Sequence, residues 1–159
     1  MSYLFTGGQV VELAMQIERN GAAFYEAARM KAGSDAAKKL FDYLIGEEQK
    51  HLRTFREMLK DLELVRPREQ YEGEWGAYLG AAAAEHVFTD DALARSAIDG
   101  IRDERQAIQF AIGFEKDSIL LFYELSNLVE GRNKAVVEKL VNEEREHLRK
   151  LSELKKSVA

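Results

Sequence analysis

The chain has 159 residues, 46% of them hydrophobic and 32% charged, with a formal net charge of −5. That length supports one domain with a substantial core, and Lys and Arg are interspersed with acids, leaving no basic run for nucleic acid to bind. The absence of cysteine excludes disulfides, zinc ribbons, iron–sulfur ligation and thiol catalysis.

Glu or Lys interrupts every apolar run, so no membrane span or signal peptide is expected and a cytoplasmic protein is the default. The one proline, Pro67, leaves room for long uninterrupted helices. Thr6-Gly7-Gly8-Gln9 reads as a helix start with a capping box. From Gln9 to about Lys31, Val11, Ala14, Gly21, Ala22, Tyr25 and Ala28 recur at helical spacing, with Glu18 among them. Gly33 is a stop and Ser34 an N-cap for a second helix, from about Asp35 to Leu64, with Leu40, Phe41, Leu44, Phe55, Leu59 and Leu62 on its apolar side.

Residues from about 65 to 102 break this rhythm. Glu72 to Gly80 mixes turn formers with aromatics, and the run Ala81 to Ala84 and the segment after Thr89 are candidates for short helices. So long a stretch predicts a crossover connection, since a tight turn between successive helices needs only a few residues. A third helix is predicted from about Asp103 to Glu130, stopped by Gly131, with Ile108, Ala111, Ile112, Ile119, Phe122 and Ser126 on one side and Glu115 in the stripe. A fourth runs from near Asn133 to about Lys156, with Val137, Leu140, Val141, Leu148 and Leu151 around Glu144 and His147. The expected fold is all-α: a single domain over residues 1–159, built as a four-helix bundle with a long crossover between helices two and three.

Two of the three histidines sit in the string Glu-x-x-His, as Glu48–His51 and Glu144–His147. Residues three apart share a helix face, so each pair can converge on one point. Each string also has an upstream glutamate at a matched distance: Glu18 lies 30 residues before Glu48, and Glu115 lies 29 before Glu144. The halves resemble each other further, for Ile17-Glu18-Arg19 with Tyr25 echoes Phe114-Glu115-Lys116 with Tyr123. One Glu from each of two helices, plus Glu-x-x-His from each of two others, is the ligand set of a di-iron or di-manganese carboxylate centre in a bundle core.

A single exposed Glu-x-x-His on a charged helix would mean little. Here both strings and both upstream glutamates interrupt hydrophobic stripes instead of lying on a polar face. Carboxylates in a dry core cost several kcal/mol unless paired or metal-bound, and four together would not stay ionised. Two divalent cations cancel four negative charges, two imidazoles complete the shells, and the donor set suits iron, with manganese as the alternative. Glu47 and Glu143 lie four residues before their histidines and share the same face. The three-residue spacing favours Glu48 and Glu144 as ligands and leaves their neighbours as supporting or exposed residues. His86 has no partner string and is expected on the surface of the crossover. Tyr25 and Tyr123, about two turns beyond Glu18 and Glu115, are either packed aromatics or hydroxyl donors to the metal pocket.

Through Glu18 with Tyr25, Glu48-x-x-His51, Glu115 with Tyr123 and Glu144-x-x-His147, the chain resembles the ferritin-like superfamily, and most of all the rubrerythrins, over nearly its whole length. That resemblance implies a di-iron centre that reduces hydrogen peroxide to water. It implies bridging roles for Glu48 and Glu144, terminal ligation by Glu18, Glu115, His51 and His147, and tyrosines that position the peroxide. It also implies a homodimer or higher homo-oligomer. Two positions depart from the family pattern. Rubrerythrins usually carry a four-cysteine, rubredoxin-like module that feeds electrons to the metals, so here electrons would come from a separate donor protein. They also carry a further glutamate three residues after the helix-three ligand, where this chain has Ser118. Dioxygen consumption, ferritin-like oxidation of ferrous iron, manganese catalase activity and a non-catalytic metal-binding module are the competing readings.

Overall fold

A computed structural model describes residues 6–62, 74–84 and 90–158. Six helices make up these residues: α1 (Gly7–Lys31), α2 (Asp35–Leu62), α3 (Glu74–Ala84), α4 (Asp91–Gly100), α5 (Glu104–Leu128) and α6 (Gly131–Ser157). The four long ones form the bundle, and α3 and α4 lie within the crossover. His86 lies outside the described residues.

Each long helix begins where its sequence provides an acceptor or a backbone reversal. The Thr6 hydroxyl accepts from the Gln9 amide at 3.3 Å while the Gln9 side chain accepts from the Thr6 amide at 2.8 Å, completing the expected capping box. Ser34 accepts from the Ala37 amide at 3.1 Å, Asp90 from Ala92 and Leu93, and Asp103 from the Gln106 amide at 2.8 Å. Gly131, expected to stop the third helix, instead opens α6 with φ +56°. The chain reverses there in a left-handed conformation that glycine adopts without penalty.

Short turns make α1–α2 and α5–α6 antiparallel hairpins. Between the hairpins, Phe24 stacks near Phe110 and Gly21 faces Phe114, so α1 and α5 are antiparallel too. Tyr43 meets His147 and Lys150, and His51 meets Glu143, so α2 and α6 are also antiparallel. Taken in chain order, the long helices therefore run up, down, down and up. Since α2 and α5 point the same way, the connection between them must travel back along a helix of roughly 40 Å at 1.5 Å per residue. A tight turn cannot span that distance, which is the physical reason for the crossover.

The core is aromatic and aliphatic: Phe24, Tyr25, Phe41, Phe55 and Phe122 are fully buried with Ile17, Leu44, Ile108, Leu125 and Leu151. Gly21 lets α1 approach α5 closely, because a Cβ there would lie 2.5 Å from Phe114 Cζ. Leu79 seats α3 in this core, and Ala94 does the same for α4. Lys31 Nζ donates to the carbonyls of Ile98 and Ile101 at the end of α4, at 3.3 and 2.5 Å, where a cation complements the helix C-terminus. Among the described residues no helix is long and apolar enough to cross a membrane.

Candidate metal centre

Six of the polar residues buried in this core converge. Glu18 on α1, Glu48 and His51 on α2, Glu115 on α5, and Glu144 and His147 on α6 are all buried and meet at the middle of the bundle. Donor atoms of Glu18, Glu48, His51 and Glu144 lie within 4.8 Å of one another, and so do those of Glu48, Glu115, Glu144 and His147. The two sets share Glu48 and Glu144. Two four-donor sets with two carboxylates in common are what a pair of adjacent ions would need.

The orientation of each imidazole fits this reading. His51 Nδ1 is 2.7 Å from Glu144 Oε1, 3.5 Å from Glu18 Oε2 and 3.8 Å from Glu48 Oε2. His147 Nδ1 is 3.2 Å from Glu144 Oε2 and 3.6 Å from Glu115 Oε2. Most of these contacts are close without being aligned as hydrogen bonds. Both oxygens of Glu18 and of Glu48, one each of Glu115 and Glu144, and Nδ1 of His51 have no hydrogen-bond partner although buried. Buried polar atoms are nearly always satisfied, and donors that converge on a point without bonding one another fit ligands around a cation. The residues present thus fit a pair of divalent ions, on donor chemistry and on geometry.

Without cations the cluster is electrostatically awkward, because four carboxylates are crowded into one dry space. Burial raises the Glu18 carboxyl well above the usual range, partly relieved by Glu48, with the charges of Glu144 and Glu115 adding to the rise. Burial likewise lifts Glu48, reinforced by Glu18 and Glu144, and lifts Glu115 to about 8, reinforced by Glu144. Glu144 goes the other way. Burial would raise it, but the polar groups crowded against it, Glu115, His147 and His51, more than reverse that. The imidazoles hold protons up to about 9 at His51 and about 10 at His147, because the surrounding carboxylates outweigh the burial that would lower them. Protons thus supply the positive charge that metal ions would otherwise bring.

The two tyrosines part company. Tyr25 is fully buried and its hydroxyl donates to Glu115 Oε1 across the α1–α5 interface. Burial and the charges of Glu115 and Glu48 push this hydroxyl well above its ordinary value, so it remains a donor. Tyr123, the other expected hydroxyl donor, is 51% exposed and lines a shallow groove with Ser126, Val141 and Arg145. The reason is one residue of helical phase. Tyr25 is seven residues after Glu18, within about 20° of its direction, whereas eight residues after Glu115 is about 80° away. The seventh position after Glu115 is Phe122, fully buried and lacking a hydroxyl. The centre is therefore asymmetric: Glu115 is held by a phenol, and the matching Glu18 is not.

Four further residues complete the site's surroundings. Glu47 Oε2 is 3.9 Å from His147 Nε2, and Glu143 Oε2 is 3.2 Å from His51 Nε2, so each outer glutamate faces the histidine of the opposite helix. Sequence spacing placed these glutamates beside their own histidines and gave no sign of the cross-pairing, which depends on the α2–α6 register. Tyr43 presents its ring edge-on to His147 at 5.8 Å between centroids. Ser118, where a further carboxylate was the family expectation, is fully buried with an unpartnered hydroxyl.

A helical bundle that buries two overlapping carboxylate–imidazole donor sets belongs to the ferritin-like class of di-metal carboxylate proteins. The rubrerythrin family model matches residues 9–155, and the chain belongs to the rubrerythrin family. Among solved structures it is similar to the 2.30 Å crystal structure of a protein from Thermotoga maritima described as a candidate ferritin-like diiron-carboxylate protein. The identity is 25% and the TM-score 0.72, over 100% of each chain. No curated protein sequence matches it.

Proposed function

We propose that this protein is a di-iron oxidoreductase that reduces hydrogen peroxide, or dioxygen, with electrons delivered by a separate rubredoxin-like donor protein. The observation that carries this reading is the pair of donor sets sharing Glu48 and Glu144 in a dry core. Four carboxylates and two neutral imidazoles balance two divalent ions and leave room for further oxygen ligands. A bound pair of redox-active ions supplies two electrons and a Lewis-acid surface for breaking an O–O bond.

The chain's own residues supply position and protons. Glu48 and Glu144, common to both donor sets, would hold the two ions together. Glu18 with His51, and Glu115 with His147, hold the outer sides. The surrounding Phe24, Phe41, Phe55 and Phe122 exclude bulk water. Tyr25 keeps its proton at Oη and restrains Glu115. Peroxide reduction takes up two protons and two electrons and yields two waters, so a retained proton beside the centre is useful. With no cysteine in the chain, the electrons arrive from outside it.

The test is anaerobic loading with ferrous iron followed by rapid mixing with peroxide or dioxygen. The proposal expects two irons per chain and oxidation by peroxide at least about tenfold faster than by dioxygen, a barrier difference of about 1.4 kcal/mol. Equal or faster oxidation by dioxygen with iron mineral accumulating would point to ferrous iron as the substrate and overturn the peroxidase reading.

A further inference from the structure

The two imidazoles present different faces. Their Nδ1 atoms look into the four-carboxylate nest, and their Nε2 atoms look outward at Glu47 and Glu143. The rings stack, with centroids 5.6 Å apart and planes 19° from parallel. Glu47, His51 and His147 form a third group whose donor atoms lie within 4.8 Å of one another, sharing one histidine with each of the two inner sets. Both Nε2 atoms are buried and without a hydrogen-bond partner; His51 Nε2 is near Glu143 Oε2 but not aligned with it. The side chains of Glu47 and Glu143 are 11% and 33% exposed, so this outer group is where the centre meets solvent.

Each outer glutamate divides its oxygens in the same way. Glu47 turns Oε1 to Lys50 and Oε2 to His147. Glu143 turns Oε1 to Lys139, at 3.5 Å, and Oε2 to His51. Both lysines are well exposed, at 62% and 76% of their side chains. Such pairs are weak and easily released. The outer carboxylates are thus paired with exposed ammonium groups that an arriving divalent cation can displace.

We propose that Glu47, His51 and His147, with Glu143 at the rim, form an outer divalent-cation site through which metal ions pass into the inner nest. A cation at the outer carboxylates binds Nε2 and displaces its proton. Moving inward, it exchanges Nε2 for Nδ1 of the same ring, and the proton leaving Nδ1 is replaced by one on Nε2. A neutral imidazole has one lone pair, so a given histidine serves the outer or the inner position but not both. The outer site is therefore occupied during loading and vacated at saturation. Once the ions are inside, the Nε2–H groups donate to Glu47 and Glu143, which then hold the rings in the ligating tautomer.

The inference rests on the di-metal reading of the inner nest, and one experiment separates the two. Cobalt(II) is mixed rapidly with metal-free protein and its ligand-field absorption followed in time, with bound metal counted at equilibrium. The Glu47→Gln/Glu143→Gln variant should load about tenfold or more slowly, the range expected when focusing charge is lost from a cleft, and still reach two ions per chain. The Lys50→Met/Lys139→Met variant, which keeps both carboxylates, should load faster than the unmodified chain. Loading of the glutamine variant at the unmodified rate overturns the outer site and leaves the di-metal reading intact. So does a loss of equilibrium affinity with no change in uptake rate, because that is the mark of carboxylates that only orient the rings. Failure of the unmodified chain to take up cobalt at all overturns both.

Discussion

At the scale of single residues, the centre depends on which side chains a proton or a cation must satisfy. Tyr25 donates to Glu115, so Tyr25→Phe leaves a buried carboxylate oxygen without its partner. The expected cost is about 1–2 kcal/mol of stability in the metal-free protein, read from chemical denaturation. The same change makes Glu115 resemble Glu18, whose counterpart at the tyrosine position is Phe122, so the two ions should then bind with more nearly equal affinity. The two shared glutamates should behave differently from each other. Glu48→Ala and Glu144→Ala should each lose metal, measured by elemental analysis, while Glu57→Ala on the exposed side of α2 should keep it. In the metal-free state only Glu144→Ala should be strongly destabilising, because Glu144 is the carboxylate that both imidazoles engage, and an unpaired buried charge costs about 3–5 kcal/mol. The convergence of the six inner residues was legible in the sequence because side chains that meet at one point need a fixed helical spacing, and spacing is a one-dimensional property. Tyr123 was misread because seven and eight residues look alike on paper but differ by 100° around a helix. The pairing of Glu47 and Glu143 with opposite histidines was not legible at all, since it exists only once α2 and α6 are in register.

At the scale of elements, caps and turns were the readable part. Thr6, Ser34 and Asp103 mark helix starts in the sequence and do so in the structure. What the sequence did not reveal is that the α1–α2 turn is tied to α5. Glu104 accepts from the Gly33 and Ser34 amides at 2.6 and 2.7 Å and from the Ser34 hydroxyl at 2.8 Å. One carboxylate thus joins the end of the first hairpin to the start of the second. Burial pushes its acidity the wrong way, but the bonds from Ser34 and Gly33 outweigh it and hold the carboxyl below its usual value. A depressed carboxyl contributes stability above its unfolded value and loses it as the pH falls. Glu104→Ala should therefore cost about 1–2 kcal/mol at neutral pH, allowing for its partial exposure, and less below pH 4. Amide exchange gives the local test: Gly33 and Ser34 should lose protection while the centres of α1 and α5 keep theirs.

At the scale of the whole molecule, the bundle is a container whose contents decide its stability. The fold class and the need for a crossover could be read from helical periodicity and the long interruption. The parallel course of α2 and α5, which sets the crossover's length, required tertiary contacts. A pH dependence follows from the container's charge. In the metal-free protein Glu115 keeps its proton to about 8, and Glu18 and Glu48 are also raised, whereas an unfolded carboxylate releases its proton near 4.3. Between those values the native state binds more protons, so stability falls as pH rises. His51 and His147 hold protons to about 9 and 10 against an unfolded value near 6.5. Their contribution is complete below 6.5 and disappears as the pH climbs through 9 and 10. Of the six inner side chains Glu144 alone has the opposite slope, and its loss falls in the acid range below its ordinary value. The metal-free protein should therefore be most stable near pH 5 and lose at least about 5 °C in Tm by pH 9, at roughly 2–4 °C per kcal/mol for a chain of this length. Metal reverses the trend, because the ions bind the deprotonated ligands and compete better as protons become scarce. The gain in Tm on loading should thus be larger at pH 8 than at pH 6, and loading should release protons into a weakly buffered solution. Scanning calorimetry of both forms between pH 5 and 9 measures this directly. A metal-free Tm that stays level or rises across that range would mean that the six side chains do not share one dry, mutually charged compartment.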